Sequence, residues 1–129
     1  MRAAAAALAA VCLLAGCAGT TANTPIGPGW RQVGTASWYG GKYQGRTTAS
    51  GDPFDKEQLT AAHPKLPFGT IARVRALDTG RTVEVRVNDR FGGHKGRVID
   101  LSEAAFSRIA PTARGLVEVE VVVVSTGAR

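Results

Sequence analysis

Four stretches of the chain alternate apolar and polar residues and are rich in β-branched side chains: 34–40 (GTASWYG), 71–77 (IARVRAL), 81–87 (RTVEVRV) and 116–124 (LVEVEVVVV). This period-two pattern predicts half-buried strands. DTG at 78–80 supplies the turn of a hairpin between the second and third of them. Two stretches instead fit short amphipathic helices: KEQLTAAH (56–63), closed by Pro64, and SEAAFSRIA (102–110), closed by Pro111. Ser102 is placed to cap the second, with Glu103 favourable in its first turn. Strands spread this evenly suggest a small closed barrel with one or two helices laid over it.

The first residues obey a different logic. Met1-Arg2 is followed by an almost wholly apolar run to Ala15, too short to span a bilayer and shaped like an export signal. Leu14-Ala15-Gly16-Cys17 looks like a bacterial lipobox. On that reading residues 1–16 are a lipoprotein signal peptide and Cys17 carries lipid. Cys12 leaves with the signal, so the mature chain keeps no free thiol and forms no disulfide. AGTTANTPIGPG (18–29) reads as a flexible tether, reaching roughly 40 Å when fully stretched. The lipidated cysteine and tether thus occupy 17–29, and a single barrel domain 30–125. Ala18 after the cysteine favours the periplasmic face of an outer membrane, in a cell that has one.

Charge narrows the partner. Sixteen Lys and Arg stand against ten Asp and Glu, a formal net charge of +6. For an exported chain without a recognition motif, nucleic acid is excluded as a target, and the acidic cell wall is the expected one. A monomer is expected. Two histidines and no mature thiol argue against a structural zinc site, and no cofactor or metal is expected. No serine stands in a nucleophile-elbow context, and the glycine-rich pieces lack a phosphate-binding pattern.

The informative residues are acids. Val83, Val85 and Val87 share one strand face, and Glu84, Arg86, Asn88 and Arg90 the other. Asp89 falls on the valine parity, either a carboxylate ending a buried row or a turn residue where the strand has already bent. Asp52, in TASGDPFD (48–55), belongs equally to a solvated turn or to the rim of an active site. Trp38 and Tyr39 can offer a stacking face to a sugar, but their alternating parity sends one of them to the core. Asp55 and Asp100 each precede a predicted helix closely enough to cap it.

GTASWYG, GRTTASGDPFD, LTAAHPKLPFGT, VNDR and GRVIDLSEAAF, in this order across about residues 33–124, resemble the rare lipoprotein A family of lytic transglycosylases. The resemblance implies a mainly β fold, the six-stranded double-psi β-barrel also seen in expansins. It implies cleavage of peptidoglycan glycan strands between N-acetylmuramic acid and N-acetylglucosamine, leaving 1,6-anhydro ends. The family's catalytic positions fall on Asp89 (Asn-Asp-Arg), Asp52 and His63 (Thr-Ala-Ala-His). Asp100 matches an aspartate that expansins place beside their groove. Substrate contacts are expected from Tyr39, Trp38, Asp100 and Arg90. Two positions depart from the pattern: the family has glutamate where this chain has Asp52, and Gly-Pro-Phe where it has Phe91-Gly92-Gly93. The chain also stops at Arg129 without the C-terminal glycan-binding module of many relatives.

The reaction suits such a residue set. Ordinary glycoside hydrolysis needs two carboxyls. A lytic transglycosylase uses the sugar's own 6-hydroxyl as nucleophile, so one acid that later acts as base can suffice. Asp89 is the candidate for that role. An aspartic acid ordinarily titrates near about 3.9, and burial is the desolvation that keeps such a group protonated at neutral pH. Asp52 can position the sugar or stabilise charge on its ring, and His63 can orient a carboxylate. The alternative on the same barrel is a non-catalytic, expansin-like protein that binds glycan or loosens the wall.

Overall fold

The computed structural model describes residues 24–94 and 96–127. The signal peptide and the lipobox with Cys17 lie outside the described residues. Six strands run β1 (Arg31–Tyr39), β2 (Thr60–Ala62), β3 (Ile71–Ala76), β4 (Thr82–Asp89), β5 (Arg97–Ser102) and β6 (Val117–Ser125). They close into a barrel in the order β1-β5-β2-β4-β3-β6. β1 with β5, and β2 with β4, pair in parallel; the other four ladders are antiparallel. Parallel neighbours cannot be joined by hairpins, so the connections cross, which is the double-psi arrangement.

The period-two stretches became strands because alternate residues fill the barrel. Val74, Val83, Val85, Val119 and Val121 are almost wholly buried, while Arg73, Glu84, Arg86 and Glu118 face outward. One α-helix, α1 (Glu103–Ile109), packs Ala105, Phe106 and Ile109 against β1, β4 and β5. Ser102 caps it as expected, its Oγ accepting from the Ala105 amide at 3.2 Å.

The helix predicted over 56–63 is absent. Residues 56–58 form turns, and Thr60–Ala62 form β2, all three residues buried between β4 and β5. Lys, Glu, Gln, Leu and Ala are good helix formers, but the two flanking strands offer this segment ladder partners on both sides. A three-residue strand buried on both faces shows no alternation to read. β5 also escaped the periodicity, because Val98, Ile99 and Leu101 form a nearly continuous apolar run.

The chain enters the barrel slightly before the expected boundary. Ile26 packs against a small cluster of Trp30, Leu66, Val87 and Val123. The Gly29 amide donates to the Val123 carbonyl at 2.8 Å. The last residues of the predicted tether are therefore laid on the barrel.

Candidate active site

β4 does not keep its parity to the end. Ala61 pairs with Val87, but the next residue of β2, Ala62, pairs with Asp89. Asn88 is the extra residue of a β-bulge, a device that re-aims a side chain. Asp89 leaves the valine row and joins the outer face. Ala62 is at the same time the ladder partner of Asp100 on β5, so the two aspartates flank one alanine. Tyr39, Tyr43, Ala62, Asp89, Arg90, Phe91 and Asp100 together line a cavity of about 240 Å³.

Asp89 is half-buried and surrounded by donors. Its Oδ1 accepts from the amides of Ala49 and Arg90, each at 2.9 Å, and its Oδ2 accepts from the Tyr39 hydroxyl at 3.3 Å. Tyr39 is fixed from both sides. Its ring stacks on Phe54 at 4.5 Å and meets Tyr43 edge-on at 5.7 Å. Burial, with the charges of Asp89 and Asp100 adding to it, pushes the Tyr39 phenol far up. It stays a neutral hydrogen-bond donor at every ordinary pH.

Asp100 has a different environment. The Ser37 hydroxyl donates to its Oδ1 at 2.9 Å and in turn accepts from Arg97 Nε and Nη2 at 3.1 and 2.7 Å. Burial raises its carboxyl above the usual range and the Asp89 charge adds to that, against the Ser37 hydrogen bond and Arg97.

Arg90 also lines the cavity. Its Nη1 donates to the carbonyls of His63 and Leu66 at 3.1 and 2.8 Å, and its guanidinium lies 4.1 Å from the centre of the Phe68 ring. The cationic head thus staples the 63–68 turn.

The remaining candidates stand elsewhere. The Trp38 ring packs against Phe106, and its Nε1 donates to the Thr112 carbonyl at 3.0 Å. Of the two aromatics, Tyr39 is the one in the groove. Asp52 is exposed to water and paired with Arg86 at 3.2 Å, and that hydrogen bond above all lowers its carboxyl below the usual range. It does not line the cavity, although its loop does hold Asp89 through Ala49.

His63 is fully buried. Its Nδ1 accepts from the amides of Lys65 and Leu66, both at 3.1 Å, so the proton sits on Nε2 and is donated to Gln32 Oε1 at 2.8 Å. Burial first, then the charges of Lys65 and Arg90, hold its imidazole down at about 4. The ring is a neutral wedge behind the site. Its backbone does reach the site, because the His63 amide donates to the Asp89 carbonyl at 3.1 Å.

Sequence reasoning passed over Ser37, Tyr43 and Phe54, and left Phe91 as an unassigned departure. Ser37 was readable, being on the same strand parity as Tyr39. Among the described residues no group of three or more His, Cys, Asp or Glu could hold a metal ion. A polar depression of about 270 Å³ lies beside α1, lined by Lys56, Glu57, Glu103, Ala104, Ser107 and Thr112. It has no aromatic wall, whereas sugar binding favours one, and the smaller cavity is the better candidate.

Residues 31–121 match the family model described as lytic transglycolase. The endolytic peptidoglycan transglycosylase RlpA of Pseudomonas aeruginosa (strain UCBPP-PA14) is 48% identical over 92 residues, covering 71% of this chain and 27% of the relative. A probable counterpart in Aquifex aeolicus is 46% identical over 94 residues, covering 73% of this chain and 42% of its own. This chain therefore spans well under half the length of these relatives. Among solved structures, a Streptomyces papain inhibitor superposes with a TM-score of 0.64 at 30% identity, over 78% of this chain and 99% of that one. An expansin from Clavibacter michiganensis superposes at 0.61 with 26% identity, over 78% and 53%.

Proposed function

The chain belongs to the lytic transglycolase family, and on that premise we propose that it is an endolytic lytic transglycosylase of peptidoglycan. It cleaves the bond between N-acetylmuramic acid and N-acetylglucosamine and leaves a 1,6-anhydro end. The observation that carries this reading is the seat of Asp89: a carboxyl at the floor of an aromatic-walled cavity, with all its hydrogen-bond neighbours donors. Such a group is set to take a proton from the attacking 6-hydroxyl. Tyr39 and Tyr43 offer ring faces to a pyranose, and Arg90 fixes the turn beneath it.

Asp52 acts on the other side of the loop. Paired with Arg86, it supports the 47–53 turn whose Ala49 amide holds Asp89. Its role is positioning. Through a lipid on Cys17 the domain works at the cell envelope, within tether reach of the membrane.

Mass spectrometry of fragments released from purified sacculi tests the reading. Wild type yields anhydro-ended fragments, and Asp89→Asn yields none yet still pellets with sacculi, since the amide keeps the shape without accepting the proton. Wild type that binds glycan and leaves it uncut makes the protein the expansin-like binder instead.

A further inference from the structure

The cavity holds a second carboxyl that the reaction above leaves unused. Asp89 and Asp100 sit on strands that flank β2, both paired with Ala62. With strands about 4.8 Å apart, their Cα atoms lie roughly 10 Å from each other, and both residues line the same cavity. That spacing leaves room for one glycosidic linkage between the two side chains.

Their surroundings differ in kind. Both oxygens of Asp89 are met by donors, two of them amides that cannot turn away. Asp100 receives one hydrogen bond, from Ser37 to Oδ1, and its Oδ2 has no hydrogen-bond partner among the described residues. A group met by fixed donors on both oxygens is held as an acceptor and has nowhere to point a proton of its own. A group with a free oxygen facing a cavity can carry a proton there. Two carboxyls whose environments diverge in this way mark an acid and a base.

We propose that Asp100 is a second catalytic residue, the general acid that protonates the leaving glycosidic oxygen, while Asp89 is the base. This rests on the lytic reading of the site. In the step, the 6-oxygen of the muramic sugar bonds to its own C1 and its proton passes to Asp89. The C1–O4 bond breaks, its electron pair stays on O4, and O4 takes the proton of Asp100. No water is consumed, and exchange of protons with solvent resets the pair. Burial, which raises the Asp100 carboxyl above the usual range, favours the protonated form the step requires. The Ser37–Arg97 pair opposes it and keeps the acid from becoming too weak.

A leaving-group test separates acid from base. The purified protein is assayed on glycan strands and on a β-linked p-nitrophenyl glycoside of N-acetylmuramic acid, whose nitrophenolate leaves without a proton. Asp100→Asn loses about 10²- to 10⁴-fold on glycan strands and stays within about tenfold of wild type on the aryl glycoside. Asp89→Asn loses both. Equal losses of Asp100→Asn on the two substrates, or none on glycan, overturn the assignment. Wild type that releases neither anhydro ends nor nitrophenol overturns the lytic reading itself, and this assignment with it.

Should Asp100→Asn fail to fold, Ser37→Ala carries the test. Asp100 faces Ser37 and Tyr39 of β1, Asp89 and Arg90 at the end of β4, Tyr43 of the rim, and Arg97 of its own strand. Losing the hydroxyl that favours the ionised form moves the alkaline limb of kcat/KM to higher pH and leaves the acid limb in place. An alkaline limb that stays put refutes the role of Asp100.

Discussion

Replacing His63 by Asn should abolish a specific part of the protein's acid sensitivity. The folded imidazole titrates at about 4, against an ordinary 6.5. As pH falls through 6.5 the unfolded chain binds a proton that the folded one refuses until about 4, so the unfolded state gains. At about 1.4 kcal/mol per pH unit, the loss reaches about 3 kcal/mol by the acid end of that window. Above 6.5 neither state is charged there and the term vanishes. Asn is the informative replacement, because its Oδ1 can take the place of Nδ1 and accept from the Lys65 and Leu66 amides. It gives up the Gln32 hydrogen bond and the edge contact with Trp30, and about 1–3 kcal/mol of stability at neutral pH. Urea unfolding at a series of pH values reads both effects. The carboxylates that titrate below pH 5 are common to both proteins, so the gap between the two curves isolates His63. It should narrow as pH falls from 6.5, and close or change sign before pH 4 wherever the neutral-pH cost is below about 3 kcal/mol. Parallel curves would show that the ring is not the neutral, proton-refusing group described here.

Phe54 is 2% exposed and stacked on Tyr39, so Phe54→Ala should cost about 3–5 kcal/mol in urea unfolding and lower cleavage by freeing the Tyr39 ring; a stable variant with full activity would show that the stack positions nothing. Asp52→Ala should slow cleavage about tenfold or more with the thermal midpoint little changed, because it loosens the loop that holds Asp89. Arg86→Ala should reproduce that loss; a silent Arg86→Ala beside a dead Asp52→Ala would mean that Asp52 works on the sugar directly.

The strands that were legible are those whose two faces differ. In β4 and β6 valines alternate with charged residues because one face fills the barrel and the other meets water. β2 was unreadable for the opposite reason. Thr60, Ala61 and Ala62 are all buried, and a uniformly buried triplet in a run of helix-forming residues carries no strand signal. Its true determinants are the open ladder edges of β4 and β5, which belong to other parts of the chain. The cap of α1 was legible because it is local: Ser102 needs only Ala105, three residues on.

The site shows the same division at finer scale. Strand parity left Asp89 either at the end of a buried row or in a turn, and the bulge at Asn88 instead aims it into the groove. A one-residue insertion into a ladder leaves no mark on the alternation before it. The motifs, in contrast, converge on Asp89 by backbone contacts. The TASGDPFD loop gives the Ala49 amide to its carboxylate and the Ser50 amide to the Asn88 carbonyl. The TAAH stretch gives the His63 amide to its carbonyl, and Arg90 returns a guanidinium to the carbonyl of His63. The histidine therefore needs neither charge nor access to sugar to matter. Its unprotonated Nδ1 collects the two amides that start the next turn, and this turn sets where its own N–H points. Several residues of the chemical-looking motifs are thus spent on aiming one carboxyl, and the second carboxyl of the cavity, Asp100, arrives from a strand whose sequence pattern advertised a helix cap.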